Sequence, residues 1–198
     1  MHARPIPDAV IVGGGLAALA TAAALAEHGC RVTMLSAPRP GAASAAAAGM
    51  LAPSVERGTG AAHDFAILAR DRYPEYLAWL AERSGVTVPL DRAGVLEVAF
   101  TQDDVERLRA AQGTADWLDA TELAAAEPGL GRALGAVRHP DDGAVDNRLL
   151  LRALRALVDA HHRIEVHEVD VAAVRPGSHA GAARGGTAHG SPAAITER

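Results

Sequence analysis

A strand, a glycine-rich turn, a helix and a second strand follow one another within the first 35 residues. Residues 9–12 are apolar and mostly β-branched, three glycines follow at once, residues 16–28 have a helical composition, and residues 31–35 form a second apolar run. Gly29 stands where a helix commonly ends in a left-handed turn. Because a crossover helix of this kind joins parallel strands, the order predicts a parallel βαβ unit.

The glycine turn has the spacing of a dinucleotide-binding fingerprint, G-x-G-x-x-A, formed by Gly13, Gly15 and Ala18. Gly13 permits the tight turn, and Gly15 carries no Cβ that would keep a pyrophosphate away from the backbone. Ala18 is small enough for the helix to pack closely on the strands. The free N–H groups at the start of the helix would then face the phosphates. The turn therefore predicts a nucleotide cofactor.

One position departs from that fingerprint. Ser36 follows the second strand, where an acidic residue usually bonds a ribose hydroxyl, and a serine makes only an uncharged hydrogen bond there. Arg39 lies close by, so an NAD(P)-dependent protein is an alternative, with Arg39 facing a 2′-phosphate. An arginine between two prolines is also typical of a solvated loop.

Composition narrows the class of partner. The net charge is −5 and the 19 basic residues are interspersed with acidic ones, so we expect neither a nucleic-acid face nor a membrane anchor. A single cysteine, Cys30, excludes an intramolecular disulfide and a cysteine metal cluster. His161, His162 and His167 lack metal-ligand spacing. We therefore expect a cytoplasmic protein with a small-molecule partner and no metal site.

An uncharged stretch at residues 9–26 raises a further alternative, a signal peptide or a membrane span. Three glycines at residues 13–15 would be costly inside a spanning helix, and the stretch opens with a β-branched strand. A strand, turn and helix are therefore favoured.

A second cluster of small residues, GAASAAAAGMLAP, occupies residues 41–53. Ser44 is predicted to cap a short helix whose first turn, at residues 45–48, exposes bare backbone. A helix N-terminus there would be a second anion-binding position, and the small side chains would let a planar ring approach.

Two stretches carry a resemblance to a known family, VIVGGGLAALATAAALAEHGCRVTML and GAASAAAAGMLAP. They resemble the amino-terminal half of the D-amino-acid oxidase-like FAD enzymes, and within these the glycine oxidases of thiamine biosynthesis. The resemblance continues through GVLEVAFTQDDVERL and HPDDGAVDNRLLLRAL, and so covers residues 8–175. It implies an α/β fold with a Rossmann-like FAD-binding domain and the start of an inserted α+β substrate domain, apparently truncated.

The resemblance also implies FAD as cofactor and places its contacts along the chain. Besides Gly13, Gly15 and Ala18 of the glycine turn, they fall on Leu16, Ala17, Ser36, Ala37, Ala43, Ser44, Ala48, Gly49, Met50 and Val171. Two positions depart from the family pattern: Ser36 replaces the usual acid, and Asn147 stands where the family often has proline.

The activity implied by the resemblance is oxidation of a primary or secondary amine, of the glycine or D-amino-acid type, to an imine. Hydrogen peroxide is released, in a role within thiamine biosynthesis. The flavin carries such chemistry and the protein orients the substrate, so no catalytic residue is assigned here. A second hypothesis is a truncated, non-catalytic FAD-binding fragment or subunit. A homo-oligomer or a complementing chain is then the expected partner.

Four segments are expected from these patterns. The FAD-binding βαβ and the small-residue segment occupy 1–60, a partial substrate domain occupies 61–145, and residues 146–175 return to the FAD-binding domain. Residues 176–198 form a low-complexity tail without periodicity, which is typical of disorder.

Local signals predict further elements. An amphipathic helix is expected over residues 63–84 with a kink at Pro74, and a capping box at residues 101–104 opens another helix. Asp146 is expected to cap a helix over residues 147–161. The acidic pairs at 103–104 and 141–142 are interpreted as solvated cap and turn residues.

Overall fold

The computed structural model describes residues 6–56, 58–113, 115–175 and 194–197. These residues form two compact units, Met1–Ala46 with Leu151–Arg198 and, between them in sequence, Ala47–Leu150. Both units mix helices with strands. The division into an FAD-binding part and a substrate part, with the bounds expected from the sequence, stays a prediction.

The first unit is built on a three-stranded parallel sheet. Strand β1 (Ala9–Val12) pairs with β2 (Val32–Leu35), and β9 (Ile164–His167) extends the sheet on the other side of β2. Helix α1 (Leu16–Glu27) connects β1 to β2. The predicted parallel βαβ unit is therefore confirmed.

Helix α1 packs through small residues and ends where the sequence predicts. Its buried residues are Leu19, Ala22, Ala23 and Ala26, a spacing that places them on one face. Gly29 has φ +88°, the left-handed conformation that terminates the helix. Alanine side chains let the helix lie close to the sheet, whose buried core includes Val32 and Met34.

The remaining elements of the first unit come from distant parts of the chain. Helix α2 (Ala43–Ala46) follows β2, and helix α8 (Asn147–Ala160) precedes β9, with the boundary between the units inside α8 after Leu150. Strand β10 (Val171–Arg175) pairs antiparallel with β11 (Ala194–Glu197).

Strand β11 corrects one expectation. The sequence of residues 176–198 has no periodicity, yet residues 194–197 form a strand because backbone pairing with β10 needs no hydrophobic pattern. Residues 176–193 and 198, where disorder was also expected, lie outside the described residues.

The second unit holds two antiparallel sheets. In one sheet β8 (Gly143–Val145) lies between β3 (Met50–Leu51) and β4 (Leu90–Asp91). In the other sheet the central strand is β7 (Gly135–His139). It pairs with β5 (Val95–Ala99) on one side and with β6 (Asp116–Asp119) on the other. Helices of this unit are α3 (Pro53–Glu56), α4 (Ala61–Asp71), α5 (Tyr73–Ser84), α6 (Gln102–Ala111) and α7 (Ala120–Ala126).

The predicted kinked helix over residues 63–84 is wrong in one respect. The structure has two helices, α4 and α5, separated at Arg72. Pro74 lies in the first turn of α5, where a missing N–H and a fixed φ are tolerated, so the chain starts a new helix rather than bending one.

The predicted capping box before α6 is confirmed. Asp104 N–H donates to Thr101 Oγ1 over 3.1 Å, and Thr101 N–H donates to Asp104 Oδ2 over 3.1 Å. Asp146 caps α8 as predicted, since its Oδ1 accepts from Leu149 N–H at 2.9 Å. Within the described ranges, no helix has the length and apolar character needed to cross a membrane.

Candidate functional site

The glycine turn joins β1 to α1 at the carboxyl end of the parallel sheet. Gly13 has φ +127°, a conformation that favours glycine, and its N–H donates to Leu35 O at 2.8 Å. Gly15 is the N-cap residue of α1 and supplies no side-chain cap. The first N–H groups of the helix therefore have no partner within the helix and remain available to a side chain or a ligand.

Ser44 occupies part of that N-terminus. Its Oγ accepts a hydrogen bond from Leu16 N–H at 3.0 Å. The predicted role of Ser44 as N-cap of its own helix is wrong, because α2 begins at Ala43 and Ser44 lies inside it. The serine instead caps α1, a contact between residues that only the fold brings together.

Ser36 lies where the fingerprint places the ribose-binding residue. It directly follows β2, and its N–H donates to His167 O at 3.0 Å, which continues the ladder between β2 and β9. The middle glycine of the turn faces it: a Cβ added to Gly14 would lie 2.2 Å from Ser36 Oγ and 3.2 Å from a guanidinium nitrogen of Arg155. Gly14 thus brings the turn, the serine and an arginine of α8 together.

These groups border one open cleft of about 680 Å³, called here the glycine-loop cleft. It is lined by residues of the glycine turn, the end of β2, helix α2, helix α8 and the segment after β9. Seven of the sequence-predicted contacts line it, namely Gly13, Gly15, Ser36, Ala37, Ala43, Ser44 and Val171.

The other sequence-predicted contacts are placed differently. Leu16, Ala17 and Ala18 form the first turn of α1 and are not among the residues that line the cleft. Ala48, Gly49 and Met50 belong to the second unit. Their roles toward FAD stay predictions.

Gly49 has a structural reason to be glycine within the second unit. It has φ +77°, and an added Cβ would lie 2.0 Å from Val145 O. Its own carbonyl accepts from Val145 N–H at 2.9 Å. Asn147, the departure from the family's proline, donates its side-chain amide to Ala47 O in the same region.

Arg39 has a partner of its own. It forms an ion pair with Asp170, and both side chains are exposed, at 66% and 40%. The pairing partly neutralises the cation that would favour a 2′-phosphate.

Sequence reasoning missed several residues that line the cleft from the carboxyl-terminal half of the first unit. They are Leu151, Arg155, Val166, Glu168 and Val169. The available signal was the order of parallel strands: once β9 pairs with β2, residues after β9 must emerge at the same edge as Ser36.

The second unit contains a buried ion pair that the sequence did not indicate. Asp142 was expected to be solvated, but it is fully buried, and its Oδ1 accepts from Arg70 at 2.8 Å and from Ser54 Oγ at 2.9 Å. Burial alone would lower the pKa of Arg70, yet hydrogen bonds to Asp142 and Asp71 outweigh it and raise that pKa. The expectation failed because the fold of this unit brings Arg70 from α4 to the turn that holds Asp142.

Comparison with known proteins bears directly on the cleft. The family model DAO, described as FAD dependent oxidoreductase, matches residues 8–195. The chain belongs to this family of FAD-dependent oxidoreductases. The cofactor of this family is FAD, as the sequence features predicted.

Individual relatives agree with that assignment. A bifunctional protein ThiO/ThiG of Synechocystis sp. is 38% identical over 152 residues, which are 75% of this chain and 23% of that protein. A glycine oxidase of Bacillus licheniformis is 31% identical over 151 residues, 74% of this chain and 41% of that protein. The chain thus spans a quarter to two fifths of these relatives.

A solved structure supports the fold. The crystal structure of glycine oxidase from Geobacillus kaustophilus matches with a TM-score of 0.80 and 30% identity, over 87% of this chain and 49% of that one. The α/β fold implied by the resemblance is therefore confirmed, and the chain spans about half of the matched oxidase.

The residues present in the cleft fit FAD. Gly14 and Gly15 carry no side chain. A Cβ added to Gly14 would lie 2.2 Å from Ser36 Oγ, and a Cβ added to Gly15 would lie 2.7 Å from Ser44 Oγ. N–H groups at a helix N-terminus that have no partner within the helix, with hydroxyl groups beside them, suit a pyrophosphate and a ribose. The group missing from the usual set is the acid at position 36.

Proposed function

We propose that this chain binds FAD in the glycine-loop cleft and serves the oxidation of a small amino acid or amine. The observation that carries the proposal is the turn of Gly13 to Gly15, which opens onto the N-terminus of α1 inside a cleft of the first unit. Membership of the FAD-dependent oxidoreductase family supports the choice of FAD over NAD(P).

The parts of the cofactor are assigned to residues by position. The backbone of Gly15, Leu16 and Ala17 would hold the pyrophosphate, because the first helical N–H groups lie there. Ser36 and Ala37 would contact the adenosine ribose at the end of β2. The resemblance assigns Ala48, Gly49 and Met50 to the flavin side, and this assignment stays a prediction.

The substrate is proposed from the relatives. Two of them are named glycine oxidases, so glycine, a secondary amine such as sarcosine, or a small D-amino acid is the proposed substrate class. When bound, FAD would supply the redox chemistry, the two-electron oxidation of an amine to an imine coupled to reduction of oxygen to hydrogen peroxide. The role in thiamine biosynthesis stays a prediction.

The test uses the full 198-residue chain after reconstitution with FAD. We expect a bound-flavin absorption spectrum; peroxide release with glycine, sarcosine or D-alanine would show that this chain turns over on its own. The Geobacillus kaustophilus glycine oxidase, measured beside it, provides the reference rate. Binding of NADH without any flavin spectrum would contradict the proposal.

A second candidate function is FAD binding without turnover by this polypeptide alone. The favouring observation is that the chain spans 49% of the matched glycine oxidase. Loose substrate positioning costs about 100-fold in rate. A flavin spectrum with peroxide release at the background level would support this candidate, and activity restored by a second chain would identify its partner.

Turnover near that of the reference oxidase would exclude the second candidate. A carboxylate-binding arginine would then have to lie within this chain. Arg92, which lines a small cavity with Arg70, and Arg138 of β7 are the first two to replace by methionine.

A further inference from the structure

A positive charge lies at the end of the glycine-loop cleft where the fingerprint normally has a negative one. The Cβ that Gly14 lacks would meet the hydroxyl of Ser36 at 2.2 Å and the guanidinium of Arg155 at 3.2 Å. Both groups therefore border the same point above the middle glycine. In the usual fingerprint this point belongs to an acid that binds ribose hydroxyls.

Arg155 is placed for a ligand rather than for a structural ion pair. It lies on α8 with its side chain half-buried and lines the cleft. Among the described residues, no carboxylate forms an ion pair with it, whereas Arg39 at the same cleft is paired with Asp170. Glu168 also lines the cleft, and within the described part of the chain it forms no ion pair with Arg155.

The serine at position 36 matters for this placement. An aspartate or glutamate there would stand beside the guanidinium and pair with it, since opposite charges at such a distance attract strongly. Because Ser36 carries no charge, it forms no ion pair with the guanidinium of Arg155. The loss of the acid and the presence of Arg155 are thus two parts of one arrangement.

We propose that Arg155 binds a phosphate oxygen in the ADP portion of FAD and replaces the acid–ribose contact of the usual fingerprint with a cation–phosphate contact. This inference rests on the proposed binding of FAD in the glycine-loop cleft. A guanidinium presents paired N–H donors in a plane that matches two phosphate oxygens, and such charge-assisted bonds are about twice as strong as neutral ones. Arg155 is a cofactor-binding residue that the glycine fingerprint does not predict.

The contact between Arg155 and a phosphate can be tested with ADP and adenosine, which are parts of FAD with and without the phosphates. Affinity should depend on the phosphates, so the full chain should bind ADP far better than adenosine. ADP affinity should also fall as salt is raised, because ions screen the attraction between the guanidinium and the pyrophosphate.

The experiment compares Arg155→Met with Arg152→Met by calorimetric titration of ADP and of adenosine into the full 198-residue chain. Arg152 is the matched control, since it lies on the same helix, is exposed and does not line the cleft. We expect Arg155→Met to lower ADP affinity by about 10- to 100-fold, the worth of a hydrogen bond between charged groups. Adenosine affinity should stay unchanged, and Arg152→Met should behave as the unmodified chain.

A second variant keeps the inference testable if Arg155→Met unfolds. Arg155→Lys keeps the charge and loses the planar fork, so its ADP affinity should lie between those of the unmodified chain and a chain without the cation. Thermal melting of each variant establishes that it is folded. ADP affinity equal to that of the unmodified chain in a folded Arg155→Met variant would overturn the inference, and so would a folded Arg155→Lys variant whose ADP affinity does not fall as salt is raised.

Two further outcomes would also overturn it. An equal loss of ADP and adenosine affinity in Arg155→Met would assign the residue a structural role. Adenosine 2′,5′-bisphosphate that binds more tightly than ADP, and only when Arg155 is present, would place the guanidinium at a ribose 2′-phosphate. FAD reconstitution of the unmodified chain separates the two proposals: absence of a flavin spectrum refutes the proposed function, whereas a flavin spectrum with Arg155-independent ADP binding refutes only this inference.

Discussion

Two glycines, one in each compact unit, use a missing side chain in opposite ways. The space beside Gly15 is bordered by the hydroxyl of Ser44, at 2.7 Å from an added Cβ, and opens onto the glycine-loop cleft. The space beside Gly49 is filled by backbone, with Val145 O at 2.0 Å. The first glycine leaves a surface for a ligand, and the second lets two chain segments touch.

The difference shows why a cluster of small residues does not by itself mark a binding site. What stands opposite each glycine decides its role: a hydroxyl on a rotatable side chain can move for a ligand, whereas a carbonyl held in a sheet cannot. Two glycine variants test this contrast directly, and two helix-cap variants follow them, in order from the largest expected effect to the smallest.

Gly49→Ala should produce the largest loss of stability. The new Cβ would overlap Val145 O, and alanine would be held at φ +77°, so the free energy of unfolding should fall by about 3 kcal/mol. Urea denaturation measures the loss. Gly85→Ala is the matched control, because Gly85 has φ +69° in open space and pays only the backbone strain of about 1 kcal/mol. Equal losses in the two variants would show that the contact with Val145 does not matter.

Gly15→Val should act on the cofactor more than on the fold. A branched side chain would take the place of the pyrophosphate, and overpacking of this size corresponds to about a 100-fold loss of FAD affinity. Fluorescence titration of FAD measures it. Ala24→Val adds the same type of side chain to an exposed position of α1 and should leave FAD affinity unchanged. Comparable losses in both variants would contradict the assignment of Gly15.

Ser44→Ala should remove the hydroxyl that caps α1. Loss of the bond to Leu16 N–H leaves that donor without its side-chain partner and should lower the free energy of unfolding by about 1 kcal/mol. Chemical denaturation of the cofactor-free chain measures the change. Ser44→Thr keeps a hydroxyl and should retain most of the stability; a threonine variant as unstable as the alanine variant would mean that the hydrogen bond is not the cause.

The smallest effect concerns the capping box of the second unit and depends on pH. Hydrogen bonds from Arg107, and then from Thr101, lower the pKa of Asp104 from 3.8 to about 2. Because the folded-state pKa is depressed, the stabilisation is present above about pH 4 and is lost as the pH falls toward 2. The difference in melting temperature between the unmodified chain and Asp104→Asn should therefore vanish over that range. Arg107→Met should move the loss to higher pH, and a difference that persists unchanged at pH 2 would contradict this account.

Local sequence signals predicted most of the first unit. The β-branched run before the glycine turn, the left-handed Gly29 and the apolar run that became β2 each depend on residues within one or two turns of chain. The capping box of Thr101 and Asp104 has the same local character. Such features are readable because the groups that determine them are neighbours in sequence.

Contacts between distant segments were not readable in this way. Ser44 was expected to cap its own helix and instead caps α1, and Asp142 was expected in solvent and instead pairs with Arg70 in the interior. Hydrophobic periodicity says which face of an element is buried, but it does not say which polar group the fold brings to that face.

The sequence by itself determined the parallel βαβ unit, the glycine turn and, through its resemblance to a family, the FAD cofactor. Only the tertiary structure decided that β9 lies beside β2 and that α8 brings Arg155 to Ser36 at the glycine turn. The physical reason is the range of the forces involved. Backbone conformation and helix capping act over a few residues, whereas the charge at the end of the cleft depends on how segments more than a hundred residues apart pack together.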